Sequence, residues 1–302
     1  MLTFLPARLK GTLILILVML NTLFWTPILI VGAFLKLLIP LPFIKKIATR
    51  VLIASATNWV SLNSFFMTIF LKTEFDISDI EGLSMNDWYF VNCNHQSWSD
   101  IPITQKVLNR RIPMLKFFLK KELIWVPVIG ICWWALDFPF MKRYSLEQVR
   151  KNPQLAGKDL ATTRKACEKF KTTPVSVFNF LEGTRFTQAK HDKQQSPFTN
   201  LLKPKAGGAA FVLGSMGEQM HTMLDITLVY SDQNIGPWDL FCGRINKVVV
   251  HFNKIEIPKE FLGKDYGADP EFKANFQVWL NNTWSDKDLL ITQLKAKHGI
   301  SS

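Results

Sequence analysis

Residues 88–100 read WYFVNCNHQSWSD. The first six form an apolar run with the length of a buried strand, and the next seven are small or polar apart from Trp98. A second run of the same kind, VSVFNFL at 175–181, ends on EGTR, residues 182–185. MLDITLVY at 223–230 and NKVVVHFNKIEI at 246–257 read as further strands. ATTRKACEKFK at 161–171 and AGGAAFVLGSM at 206–216 have helical character, and a final helix is expected over 271–284 with Trp279 and Trp284 on or near its apolar side. Strands alternating with helices predict an α/β fold, a mixed and mostly parallel sheet covered by helices. In open sheets of this class ligands bind just beyond the carboxyl ends of strands. NHQSWSD and EGTR both occupy that position.

The 302-residue chain is 48% hydrophobic and 13% aromatic, so it can bury a sizeable core, and its net charge is +12. A basic excess of this size attracts polyanions, whether nucleic acid, anionic lipid headgroups or phosphorylated substrates. A base-stacking surface would interleave its aromatics with Lys and Arg. Here they sit in apolar runs, so no nucleic-acid partner is expected. Cys93, Cys132, Cys167 and Cys242 are far apart and form no C-x-x-C pair; they read as reduced thiols in a cytosol-facing domain. There is no GxxxxGK[ST] loop, HExxH helix or dinucleotide glycine pattern, so no bound cofactor and no metal are expected.

Residues 11–35, GTLILILVMLNTLFWTPILIVGAFL, carry no charge over 25 positions. A helix crossing a bilayer core needs roughly 20 apolar residues. Pro27 inside the run would kink a helix, which leaves a bent span or a hairpin dipping into one leaflet. Arg8 and Lys10 precede the run, while Lys36, Lys45, Lys46 and Arg50 follow it. For a single span the positive-inside tendency places the remainder in the cytoplasm, and a re-entrant hairpin places both flanks there. The expected location is the inner, cytoplasmic membrane. Residues 51–71 are also uncharged, with Thr57, Ser61, Ser64 and Thr68 making one polar stripe on a helix. That helix packs on the first, lies in the interface, or is buried beneath the soluble domain. The organisation expected is 1–72 for membrane-anchoring helices and 73–302 for a catalytic domain.

A histidine takes a proton from a hydroxyl near neutral pH, and a carboxylate bonded to its other nitrogen fixes the tautomer. Five residues on an ideal helix separate side chains by about 140°. His95 and Asp100 therefore meet more naturally across a turn leading into a helix, which Ser97 or Ser99 could cap. Taken bare, H-x-x-x-x-D is weak, and a capping Asp with an incidental His is its ordinary reading. In EGTR, glycine lets a bound group approach the backbone and the planar fork of Arg185 suits a phosphate. Glu182 would repel a phosphate, so it is expected to orient Arg185 or to contact a polar part of an acceptor. A surface turn with a solvated ion pair is the alternative.

Together the clusters resemble something specific. NHQSWSD fits the N-H-x-x-x-x-D block and FLEGTR the E-G-T-R block of the lysophosphatidic acid acyltransferase family, and the 87 residues from His95 to Glu182 are the family's kind of separation. FPFMKR, residues 138–143, resembles its second block, and LKFFLKKELIWVPVIG, residues 115–130, its Lys-Glu-Leu segment. The likeness covers roughly 88–230. Many members carry a proline in a fourth block, where this chain reads HTMLDITLVY; the wording is nearer the lysocardiolipin acyltransferase-like branch and its bacterial relatives.

The resemblance implies a general base, His95, oriented by Asp100, that activates a lysophospholipid hydroxyl. The acceptor expected first is 1-acyl-glycerol-3-phosphate, giving phosphatidic acid. The oxygen would attack an acyl thioester of coenzyme A or acyl carrier protein, used as a co-substrate. Arg143 and Arg185 would hold the acceptor's phosphate, with Glu182, Gly183 and Thr184 shaping the pocket and Asn94 positioning the histidine loop. Lys203 and Lys205 would add an anion site or lie solvated on the surface, and Trp125, Trp133 and Phe138 are candidate walls of an apolar tunnel. Two rival readings remain: a Cys93 thiol nucleophile paired with His95, and a non-catalytic scaffold binding anionic phospholipid through the same pocket.

Overall fold

The computed structural model describes residues 2–141, 167–168, 170–171, 173–232, 235–264 and 269–300. Its main sheet has six strands: β1 (Glu74–Ser78), β2 (Tyr89–Cys93), β3 (Leu115–Phe117), β6 (Ser176–Asn179), β7 (Thr222–Tyr230) and β8 (Lys247–Glu256). β4 (Leu119–Lys120) and β5 (Phe140–Met141) pair separately. The order across the main sheet is β1-β8-β7-β2-β6-β3. β7, β2, β6 and β3 run parallel, β8 is antiparallel to β7, and β1 is parallel to β8. The sheet is therefore mixed and mostly parallel, as the alternation of runs predicts.

Side chains of the central strands alternate between two buried faces, which is why these strands read as nearly continuous apolar runs. Tyr89, Val91, Cys93, Leu224, Ile226 and Leu228 point to one face. There they meet α3 (Asp100–Leu108) and the root of an N-terminal pair of helices. Phe90, Val177 and Met223 point to the other, beneath α6 (Ala206–Met216) and α7 (Pro270–Lys297).

Helix α7 begins where Asp269 accepts from the amides of Glu271 and Phe272 and Pro270 fills the first helical position. It runs far beyond the expected end at residue 284. Trp284, Lys287, Ile291 and Leu294 continue the buried stripe at helical spacing. One stripe position is a lysine, so the apolar pattern breaks there although the helix does not. Most of the helix expected near 161–171 lies outside the described residues; Cys167, Glu168 and Phe170 are helical.

The N-terminal pair is α1 (Ala7–Leu38) and α2 (Pro42–Phe70), joined by three residues. The Leu2 amide bonds the Ile69 carbonyl, so the hairpin's two ends meet at the sheet. α1 runs through Pro27 as one continuous helix. A proline costs a helix interior about 3 kcal/mol, and packing along α2 offsets that cost. Gly32 allows the close approach: a Cβ there would lie 2.9 Å from Leu52 Cδ2. Polar bonds lock the pair, with Asn21 Nδ2 donating to Asn63 Oδ1 at 2.8 Å and Trp59 Nε1 to Thr22 Oγ1 at 3.0 Å.

The polar stripe of α2 has a specific use. Asn109 donates to Ser61 Oγ, Lys106 donates to Thr68 Oγ1, and Arg110 reaches Asn58. Each donor lies in or just after α3, so the stripe docks the hairpin on the helix that Asp100 opens. Among the described residues α1 is the one helix long and apolar enough to cross a membrane, and only 22% of its most apolar window is buried. Leu20, Leu23, Phe24, Val31, Leu37 and Leu38 are exposed. α4 (Ile129–Ala135) lies against α1 through Cys132 and Ala135, with Leu29 and Ala33 opposite.

Candidate active site

Because β7, β2 and β6 are adjacent and parallel, their carboxyl ends open on one place. The chain leaving β2 enters it with Asn94 and His95. Asn94 is fully buried and grips β7 from both sides: its Nδ2 donates to the Leu228 carbonyl at 2.9 Å, and its Oδ1 accepts from the Leu228 amide at 2.8 Å. His95 and Asp100 meet across the turn that opens α3, with Nδ1 2.8 Å from Oδ2. The same Oδ2 accepts the amides of Gln96 and Ser97 at 2.8 and 2.9 Å. Asp100 thus organises its own turn. Ser99 stands at the N-cap position but its side chain makes no capping bond.

The chain leaving β6 supplies the opposite wall. Phe180 stacks on the His95 ring with centroids 3.8 Å apart. The Phe186 amide donates to the His95 carbonyl at 2.7 Å. Gly183 adopts φ +68°, the conformation that favours glycine, and a Cβ there would crowd the flexible Lys205 side chain, 3.1 Å from its Nζ. Arg185 lays its guanidinium over Trp98 at 4.2 Å, which fixes a flat donor fork beside the histidine loop. Trp98 is more than half exposed. Lys190, in α5 (Gln188–Gln194), donates to Thr184 Oγ1 and to the Arg185 carbonyl, both at 2.8 Å.

Glu182 is placed beneath this surface, not on it. Its side chain is fully buried, with Oε1 accepting the His95 amide at 2.7 Å and Oε2 the Leu202 amide at 3.1 Å. It therefore ties the two catalytic-loop candidates together from below, where the sequence suggested a contact with Arg185 or an acceptor. Lys203 and Lys205 are exposed, and Lys205 stands at the N-cap position of α6, where its side chain makes no capping bond. Arg143 lies outside the described residues. Trp125 is 84% exposed, whereas Phe138 is buried against Phe117.

Burial pushes the Glu182 carboxyl up to about 7, while the two amides and Lys287 pull the other way. The native protein then holds a proton between about 4.5 and 7 that the unfolded chain has released. Stability contributed by this group is full below that window, falls as pH rises through it, and is flat above. Thermal melting from pH 5 to pH 8 should show that fall in the parent protein and lose it in Glu182→Gln. The variant should start less stable, because a carboxamide cannot accept from both amides.

The thiol reading has no reach. Cys93 is fully buried, its Sγ donates to the Asn94 carbonyl, and burial with the nearby Asp100 carboxylate pushes it well above the usual thiol range. All four cysteines are free and buried. Tyr230, Phe180, Trp98 and Lys190 complete the site without having been singled out as site residues in the sequence. Only Phe180 and Trp98 carried a local signal, as aromatics bordering the two polar clusters.

A family model described as Acyltransferase matches residues 74–230, a span that includes His95, Asp100 and EGTR. 1-Acyl-sn-glycerol-3-phosphate acyltransferase delta of Homo sapiens is 29% identical over 185 residues, covering 57% of this chain and 43% of the relative. 2-Acyl-1-lysophosphatidylinositol acyltransferase of Saccharomyces cerevisiae is 24% identical over 243 residues, covering 66% and 59%. The chain thus spans about half the length of these curated relatives. The crystal structure of the 1-acyl-sn-glycerophosphate acyltransferase PlsC from Thermotoga maritima shares the fold, with a TM-score of 0.53 at 15% identity over 93% of this chain and 96% of that one. With over half of its length matched by the family model, the chain belongs to the acyltransferase family.

Proposed function

We propose that the protein is a membrane-bound O-acyltransferase that moves a fatty acyl group from an acyl thioester to the free hydroxyl of a lysophospholipid, with 1-acyl-glycerol-3-phosphate as the first candidate acceptor. The observation that carries this is the His95 ring, held on Asp100 and stacked on Phe180, beside an arginine fork on Trp98. Asp100 occupies Nδ1, so Nε2 is the nitrogen that takes the acceptor's hydroxyl proton. The oxygen attacks the thioester carbonyl carbon, the carbon–sulfur bond breaks, and the proton passes from Nε2 to the leaving thiolate. The products are an ester and a free thiol, with no covalent acyl-enzyme. Coenzyme A and acyl carrier protein are the candidate donors.

First the surface and then an internal cavity support a lipid substrate. The apolar, exposed face of α1 suits contact with a bilayer, and the net charge of +12 suits anionic headgroups. Since α2 returns to the sheet beside α1, the hairpin's two ends lie together, while exposed Lys45, Lys46 and Arg50 lie toward its far end, suited to anionic headgroups. Second, an apolar cavity of about 370 Å³ lies between the hairpin and the histidine loop, walled by Ile14, Trp59, Met67, Trp98, Pro102 and Phe241. Trp98 would then separate a charged headgroup on Arg185 from an apolar chain.

The test is turnover of lysophosphatidic acid and a long-chain acyl-CoA by protein in detergent, following free thiol and diacyl product. Arg185→Ala should raise KM for the phosphate-bearing acceptor roughly 10- to 100-fold, the loss of one or two charge-assisted hydrogen bonds. Thiol release without lipid product would point to another acceptor or to thioester hydrolysis. A folded protein that binds anionic phospholipid but turns over no acceptor would instead be a scaffold.

A further inference from the structure

β7 does more than close the sheet. Cys93, the last residue of β2, pairs with Ile226, so β7 runs four residues past the end of its neighbour. That overhang passes beside the histidine loop and meets it twice. Leu228 holds Asn94 through its backbone. Tyr230 lies on the same face two residues on, and its hydroxyl donates to Asp100 Oδ1 at 2.5 Å.

Asp100 has no exposure and Tyr230 is 5% exposed, so neither group has water to fall back on. A buried carboxylate needs hydrogen bonds on both oxygens. Oδ2 serves His95 Nδ1 and two backbone amides. Among the described residues Oδ1 has the phenol. Burial and the Asp100 carboxylate push the Tyr230 phenol well above its usual range, so it stays protonated and donates.

We propose that Tyr230 is a positioning residue of the His95–Asp100 pair: its O–H holds the carboxylate in the rotation that presents Oδ2 to His95 Nδ1. The role in turnover rests on the acyl-transfer reading above.

The experiment uses the full chain in detergent with ¹⁵N-labelled histidine. The Nδ1–H proton of His95 is assigned by its loss in His95→Ala. Tyr230→Phe should shift that resonance, lower kcat about tenfold with KM within twofold, and leave the melting temperature within a few degrees. In an Asp100→Ala background the same change should cost less than twofold, because the group it positions is gone. A resonance that coincides with the parent's, or an equal loss of kcat with and without Asp100, overturns the proposal. Should Tyr230→Phe fail to fold, fluorotyrosine at position 230 keeps the shape and strengthens the donor; an unmoved resonance there is equally decisive. A parent protein that transfers no acyl group would sink the acyltransferase reading alone, since the resonance reports on Tyr230 without turnover.

Discussion

His95→Ala should lower kcat for acyl transfer by roughly a thousandfold, within the hundred- to ten-thousandfold range of a positioned general base. Among the described residues, neither Glu182 nor Cys93 can take over the proton. Glu182 has both oxygens committed to backbone amides, and the Cys93 thiol is buried and protonated. Asp100→Asn should cost a comparable factor for a different reason. A carboxamide N–H facing Nδ1 would drive the imidazole proton to Nε2, and the nitrogen needed as acceptor would become a donor. Free-thiol release measured under saturating substrates, beside circular dichroism of each variant, checks both. An active, folded His95→Ala would move the base elsewhere, and with it the whole reading of the strand ends.

The parts of this arrangement that were legible in the sequence are those written within a few consecutive residues. β2, β6 and β7 showed as apolar runs because both faces of the sheet are covered there, β8 showed through its buried first half, and α6 showed over its full length. The edge strands did not show: EFDIS and LKF are short, and EFDIS carries two charges, as an edge that must not pair with another chain should. In the site, His95 and Asp100 are five residues apart and EGTR is contiguous, so both could be read as motifs. Tyr230 is 130 residues from Asp100, and nothing local marks it. Glu182 misleads for the same reason. A carboxylate beside an arginine reads as its partner until the fold brings the His95 and Leu202 amides to it.

Lys287→Met should destabilise the protein by about 3–5 kcal/mol, the usual cost of removing one partner of a buried ion pair. At roughly 2–4 °C per kcal/mol for a chain of this order, the melting temperature should fall by about 10 °C. Lys287 reaches from α7 to the sheet, donating to Asp225 Oδ1 at 2.9 Å and to the Ile226 carbonyl at 2.6 Å. Neither side chain of the pair is more than 4% exposed. Asn92 of β2 donates to the same Asp225 oxygen, so one carboxylate joins two central strands to the C-terminal helix. Methionine keeps the length of lysine and leaves Asp225 buried without its cation. Adding Asp225→Leu should therefore recover most of the loss, since an apolar pair of similar volume avoids the desolvation that the ions suffer. If the double variant melts as low as Lys287→Met, the cost lies in packing under Trp284, not in an uncompensated charge. The pair also touches the site through its field, because Lys287 holds the Glu182 carboxyl down against the upward push of burial. In Lys287→Met the fall of stability with rising pH should therefore extend to higher pH than in the parent, a second signature that a packing defect alone cannot produce.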